Sequence, residues 1–249
     1  ERSGDEPFQI ARRFPDAVVI ADERRTRAAK IAVDRFRADV IVLDDGFQHR
    51  AIGRDLDIVM INGGQSLARM PMLPAGLRRE PLSSLRRAGL LVFAGPEGAA
   101  SEELKGYSSA GEVSVRFMPD RVAHAFGGES LSLESVRGKS AMACCGIANP
   151  AGFERMLKEM GVEIRATLSF QDHHRFTPED LQRIRDEFKR SGAAMILTTE
   201  KDAIRFSTPA GESCLGSLPV YFVGIRTEIL EGKALLHSLL DSVFEGTGL

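Results

Sequence analysis

The 249-residue chain has little of what marks several common protein classes. It holds three cysteines, Cys144, Cys145 and Cys214, which do not suggest a disulfide framework. Cys144 and Cys145 are chain neighbours, and neighbours on a strand point to opposite faces, so they are poor partners for each other. Buried free thiols in a reducing compartment are the expected state. The 33 basic and 35 acidic residues leave a formal net charge of −2, without the basic excess of a nucleic-acid binder. Basic clusters such as Arg24-Arg25-Thr26-Arg27 and Arg78-Arg79 read mostly as solvated helix faces. No run approaches the roughly 18 apolar residues needed to span a bilayer. No signal peptide is visible, nor any internal repeat or low-complexity tract.

What is there is ordinary for a globular protein, with 43% hydrophobic and 27% charged residues. The length fits one large or two modest domains. The most informative stretch is Val40-Ile41-Val42-Leu43-Asp44-Asp45-Gly46-Phe47-Gln48-His49-Arg50. An unbroken aliphatic run reads as a strand buried on both faces of a parallel sheet. Ligands of such sheets collect at the carboxyl ends of the strands. Two acids there are placed to hold Mg²⁺ through oxygen. A turn is the competing reading, since Asp and Gly are common turn formers.

The first part of the chain alternates expected strands and helices. Strands are expected at 17–20, 40–43, 57–62 and 89–94, with a helix over 24–37 and a loop over 64–81. That alternation argues for a parallel, doubly wound sheet. Residues 113–117 alternate as a half-exposed strand does, and Gly127-Gly128 marks a turn. Further strands are expected at 139–146, 193–198 and 220–223. Helices are expected from Pro150 to Met160, capped by Asn149, and from Pro178 to about Arg190, capped by Thr177. An amphipathic helix closes the chain over 228–244. The expected domains are 1–112, a β linker over 113–136, a second α/β domain over 137–226, and the C-terminal helix over 227–249.

Asp44-Asp45-Gly46-Phe47-Gln48-His49-Arg50 followed by Arg54-Asp55-Leu56-Asp57-Ile58-Val59 resembles the tetraacyldisaccharide 4'-kinases, the lipid A 4'-kinases of Gram-negative bacteria. Four further segments resemble the same family in the same order. They are Gly4-Asp5-Glu6-Pro7, Leu73-Pro74-Ala75-Gly76 with Arg79-Glu80-Pro81, Phe170-Gln171-Asp172-His173-His174, and Thr198-Thr199-Glu200-Lys201-Asp202-Ala203. Two departures stand out. Leu77 occupies a position where the family usually has Pro. No G-x-x-x-x-G-K-[ST] occurs, although the family carries such a Walker A loop upstream of its Gly-Asp-Glu-Pro segment. The chain is therefore expected to be a fragment lacking that segment, which supplies the backbone cradle and the Lys for the ATP phosphates.

The resemblance implies a P-loop-NTPase-like α/β fold, a mostly parallel sheet with helices on both faces. A smaller α/β domain, joined by a β-strand linker, acts as a lid. It implies transfer of the ATP γ-phosphate, with Mg²⁺, to the 4'-hydroxyl of tetraacyldisaccharide 1-phosphate. That reaction takes place at the cytoplasmic face of the bacterial inner membrane, through peripheral contact. Asp5 alone reads as a helix N-cap; by resemblance it is the catalytic base, acting with His173. Asp44 and Asp45 handle the metal, with Glu80 as a direct or indirect ligand. Gln48, His49, Arg79, Thr199 and Lys201 line the nucleotide side. Arg79 is suited to clamp a phosphate, and Thr199 followed by Asp202 also reads as a plain helix cap. Closure of the lid is expected to bring His173 to Asp5.

Two other readings compete. Asp172-His173-His174 matches a three-residue signature of metal-dependent phosphoesterases, which Asp44-Asp45 could join in a two-metal site. The absent Walker A loop favours instead an inactive, lipid-disaccharide-binding remnant.

Overall fold

The computed structural model describes residues 4–63, 66–76, 78–95, 99–104 and 106–246. Gly64 and Leu77, noted above, lie outside them. The helices are α1 (Asp5–Arg13), α2 (Arg25–Phe36), α3 (Ala99–Leu104), α4 (Pro150–Glu159), α5 (Pro178–Ser191), α6 (Glu200–Phe206), α7 (Pro209–Leu215) and α8 (Lys233–Gly246). The strands are β1 (Ile58–Asn62), β2 (Leu90–Ala94), β3 (Gly111–His124), β4 (Ser130–Leu131), β5 (Ser140–Cys145), β6 (Glu163–Ser169), β7 (Met195–Thr199) and β8 (Val220–Glu231). They fall into two compact units, Glu1–Glu23 with Pro119–Arg226, and Arg24–Met118 with Thr227–Leu249. The long strands β3 and β8 each run through a boundary between the units.

In the first unit, β6, β5, β7 and β8 pair in that order and all run parallel. The side-chain period of two along β5 sorts its residues onto two cores. Ala141, Ala143 and Cys145 pack with Phe153 and Leu157 of α4. Met142 and Cys144 pack with Leu181 and Ile184 of α5, and with Phe206 and Leu215. Helices thus cover both faces, the arrangement expected when strands are apolar throughout. Helix α4 starts where the sequence indicates, with Asn149 accepting from Gly152 N–H and Pro150 at the first position. Helix α5 carries a capping box between Thr177 and Asp180, and Gly192 ends it in the left-handed conformation.

In the second unit, β1, β2 and the start of β3 are parallel, with Ile58 opposite Leu90 and Leu90 opposite Gly111. Ile61, Leu91 and Phe93 pack with Leu82, Leu85 and Leu104 on one face. Leu90, Val92, Val113 and Val115 pack with Leu236 and Leu239 of α8 on the other.

Several expectations need correction. Residues 17–20 and 40–43 form no ladder among the described residues. Val42, expected to be buried, is 89% exposed, and Val40 and Ile41 are also exposed. A strand exists only where a neighbour takes its N–H and C=O groups, and among the described residues none pairs with 40–43. Val40–Leu43 and β1 instead face a groove of about 940 Å³. Within 113–136, expected as a linker of paired strands, β3 runs on to His124 and pairs antiparallel with β4. The closing helix begins at Lys233, since β8 continues to Glu231 and Gly232 turns the chain at φ 78°. The two units also divide the chain differently from the expected domains, with residues 1–23 grouped with 119–226 and residues 227–249 with 24–118.

Candidate active site

In the first unit, α1 and α6 meet through polar contacts. Asp5 is the first residue of α1, with Gly4, at φ 82°, as the cap. It is therefore a first-turn residue rather than the N-cap that its local sequence suggests. Its Oδ2 accepts from Nε of Arg205 at 2.6 Å. One residue on, Glu6 Oε1 pairs with Nζ of Lys201 at 2.9 Å. That hydrogen bond is the main reason the Glu6 carboxyl titrates below its ordinary value, with burial opposing. Gln9 donates to Glu200 at 3.1 Å, which also pairs with Arg13 and Arg121.

His173 lies in the same group of residues. Its Nδ1 is 3.4 Å from Nη2 of Arg205, and its Nε2 is 3.3 Å from Nζ of Lys201. Lys201 and Arg205 are four positions apart, so one face of α6 presents both cations. His173 adopts φ 58°, a left-handed conformation uncommon for a side-chain-bearing residue. Its N–H donates to the Asp172 carboxylate at 2.9 Å, which supports that turn. Two expected site residues 168 positions apart, Asp5 and His173, thus share contact with one guanidinium.

Thr199 is the N-cap of α6, accepting from Asp202 N–H at 3.1 Å and donating to Asp202 Oδ2 at 2.7 Å. The bland reading of this pair as a helix cap describes it well. Asp202 is fully buried and also accepts from Gly146 N–H at 2.9 Å and from Arg205 Nη1 at 3.0 Å.

His174 is occupied differently. Its Nε2 bonds Asp180 at 2.8 Å, and its ring stacks on Phe170 with centroids 4.9 Å apart. The two histidines of Asp172-His173-His174 therefore serve separate surroundings. Among the described residues no three His, Cys, Asp or Glu side chains converge as a metal cage. The two-metal phosphoesterase reading is not favoured.

In the second unit, Asp44 and Asp45 follow the apolar segment 40–43 and are exposed. Asp45 has φ 52° and lies 3.5 Å from Nη1 of Arg79. Gly46 is buried here, and a Cβ on it would stand 2.7 Å from Leu43 Cβ, so the turn requires glycine. Two adjacent exposed carboxylates with no thiol or imidazole ligand between them fit Mg²⁺. That ion takes oxygen ligands and usually only one or two protein carboxylates, leaving the rest to water and phosphate. Gln48 and His49 follow on the exposed loop. Arg54 steadies that loop, donating to the His49 carbonyl at 2.6 Å and pairing with Asp57 at 2.7 Å. Glu80 is paired with Arg87 at 2.8 Å, and this bond is the main reason its carboxyl titrates below its ordinary value. Arg87 also donates to the Phe47 carbonyl at 3.2 Å and lies 4.3 Å over the Phe47 ring.

The sequence did not single out Arg205; Glu6 stood only within the Gly4-Asp5-Glu6-Pro7 segment, and the buried Asp202 only as part of a helix cap. The spacing of Lys201 and Arg205 on one helical face, just after a motif already singled out, was the available signal.

Comparison with known proteins identifies the family. The family model of the tetraacyldisaccharide-1-P 4'-kinases matches residues 1–245. A tetraacyldisaccharide 4'-kinase of Anaeromyxobacter dehalogenans (strain 2CP-1) is 38% identical over 247 residues, covering 96% of this chain and 65% of that protein. One from Chlorobium limicola is 36% identical over 254 residues, covering 97% and 70%. Among solved structures, LpxK from Aquifex aeolicus, an "apo" form in complex with ATP, superposes with a TM-score of 0.72 at 27% identity, covering 97% of this chain and 69% of that one. The chain spans a little under two thirds of the length of the first of these relatives. With a family model matching nearly the whole chain and relatives sharing more than a third of its residues, the chain belongs to the tetraacyldisaccharide 4'-kinase family.

Proposed function

We propose that this chain is the larger part of a kinase that transfers the γ-phosphate of ATP to the 4'-hydroxyl of tetraacyldisaccharide 1-phosphate, a step in lipid A biosynthesis. The observation that carries the proposal is the joint contact of Asp5 and His173 with Arg205. Phosphoryl transfer asks for positioning, for cations on the phosphates, and for a group that accepts the hydroxyl proton. Asp5 is the proton acceptor and His173 its partner. Asp44 and Asp45 hold Mg²⁺, which when bound neutralises phosphate charge. Arg79, beside Asp45, contacts a phosphate oxygen, and Gln48, His49, Thr199 and Lys201 belong to the nucleotide side. Glu80 acts on the metal through its loop, since its carboxylate is held by Arg87.

The acyl chains of the substrate sit in a bilayer, so the kinase works at the cytoplasmic face of the inner membrane by peripheral contact. No helix among the described residues is long and apolar enough to cross a membrane.

The test is a γ-phosphate transfer assay on the complete kinase polypeptide. Asp5→Asn and His173→Ala should each lower kcat at least about 100-fold, the scale of general-base contributions, with the melting temperature nearly unchanged. Asp45→Asn, at an exposed position, should raise the Mg²⁺ concentration needed for half-maximal rate without a loss of stability beyond about 0.5 kcal/mol. Near-normal rates for Asp5→Asn would reject the assignment of the base. A chain that binds the disaccharide but never turns over, even when complete, would favour the remnant reading.

A further inference from the structure

We propose that Arg205 is the positioning residue of the site, fixing the Asp5 carboxylate in the orientation in which it takes the substrate proton; this rests on the reading of Asp5 as base. The Arg205 side chain is only 6% exposed, and its guanidinium is held on several sides. Nη1 donates to the Gly146 carbonyl and to Asp202 Oδ1, both at 3.0 Å. Asp202 is itself fully buried and bound by Gly146 N–H and the Thr199 hydroxyl. The planar fork of an arginine has fixed donor directions. Once Nη1 is committed to the end of β5 and to Asp202, Nε has one direction left, and it points at Asp5 Oδ2, 2.6 Å away.

The consequence for Asp5 is geometric. Oδ2 is engaged, and among the described residues none bonds Oδ1, so one defined oxygen faces a substrate hydroxyl. Nη2 of the same guanidinium lies 3.4 Å from His173 Nδ1. A single rigid group therefore sets the position of both members of the pair. Lysine cannot do this, because its ammonium has no fork and cannot hold β5, Asp202 and Asp5 in one plane.

The experiment compares Arg205→Ala and Arg205→Lys in the complete kinase, alone and in the Asp5→Asn background. Arg205→Ala should lower kcat about 100-fold, the cost of a misplaced reacting group, with KM for ATP within about twofold of the parent. Arg205→Lys should recover only part of that loss. In the Asp5→Asn background either change should cost less than about threefold more, since a residue acting through Asp5 has nothing further to lose. Should Arg205→Ala fail to fold, Arg205→Lys with a normal melting curve carries the same comparison. If Asp5→Asn collapses turnover but the Arg205 variants keep it, or if the losses multiply in the double variant, Arg205 does not act through Asp5 and this inference falls alone. If Asp5→Asn keeps turnover, the base assignment fails and this inference falls with it.

Discussion

Arg205 and Asp5 are 200 positions apart in the sequence and 2.6 Å apart in the structure. The bond joins the helix that opens the described chain to α6. Helix α1 has nine residues and buries none of them, and so short a helix is unstable without tertiary contacts. Its attachments are polar: Asp5 to Arg205, Glu6 to Lys201, Gln9 to Glu200, and Arg13 to the Ile225 carbonyl. Asp5→Ala should therefore speed amide hydrogen exchange across 5–13 while leaving α4 and α5 protected. Unchanged exchange in α1 would mean that the other contacts hold it without Asp5.

Asp202 and Arg205 form an ion pair with 0% and 6% side-chain exposure. Removing Asp202 leaves the Gly146 N–H and Nη1 of Arg205 without their buried carboxylate acceptor, while Asp5 still pairs the guanidinium. Asp202→Ala should cost about 2–3 kcal/mol in urea unfolding, the scale of buried donors left unsatisfied, more than an exposed pair such as Arg155–Glu159 is worth. A loss below about 1 kcal/mol would show that water or a rearranged Arg205 compensates.

The cap of α5 gives a pH dependence. The Asp180 carboxyl titrates below its ordinary value of 3.8, chiefly because Thr177 N–H donates to it, with His174 and the Thr177 hydroxyl adding to this and burial opposing. A depressed folded pKa means stability that is present above the unfolded value and lost as pH falls through the folded one. Stability should thus decline below about pH 3.8, and the Asp180→Asn variant should show a shallower decline there. Identical acid limbs for the two proteins would exclude Asp180 as a source.

The three thiols should separate in reactivity. Cys144 and Cys145 are buried and unpaired. Burial pushes the Cys145 thiol up to about 11, and raises that of Cys144 as well. Thiolate is the reactive form, so at pH 8 a thiol reagent should modify Cys214, which is partly exposed, far faster than the other two. All three should react in denaturant. Fast labelling of Cys145 in the native protein would contradict its burial.

Much of this architecture was legible in the sequence. The apolar runs that became β2, β5 and β7, and the Asn149-Pro150 and Thr177-Pro178 helix starts, are local signals whose cause is local. Strand β6, Glu163–Ser169, was missed although its exposed and buried residues alternate as those of a half-exposed strand do. Val40–Leu43 reads as a core strand by composition, yet composition cannot supply the neighbour that makes a strand. In the same way the motifs indicated Asp5 and His173, but nothing local indicates that Arg205 would stand between them. That contact arises only when the end of β5, α6 and α1 come together.

The apolar segment Val40–Val42 and the edge of β1 together make a sticky surface. A flat, unpaired hydrophobic edge is a template on which other chains can add strands. Asp44 and Asp55, which flank the groove and are exposed, act as gatekeepers, their like charges opposing such stacking, whereas Asp45 and Asp57 are paired with Arg79 and Arg54. The protein should therefore remain dispersed at low ionic strength and neutral pH. It should cloud as salt or acid removes the mutual repulsion of those two exposed carboxylates.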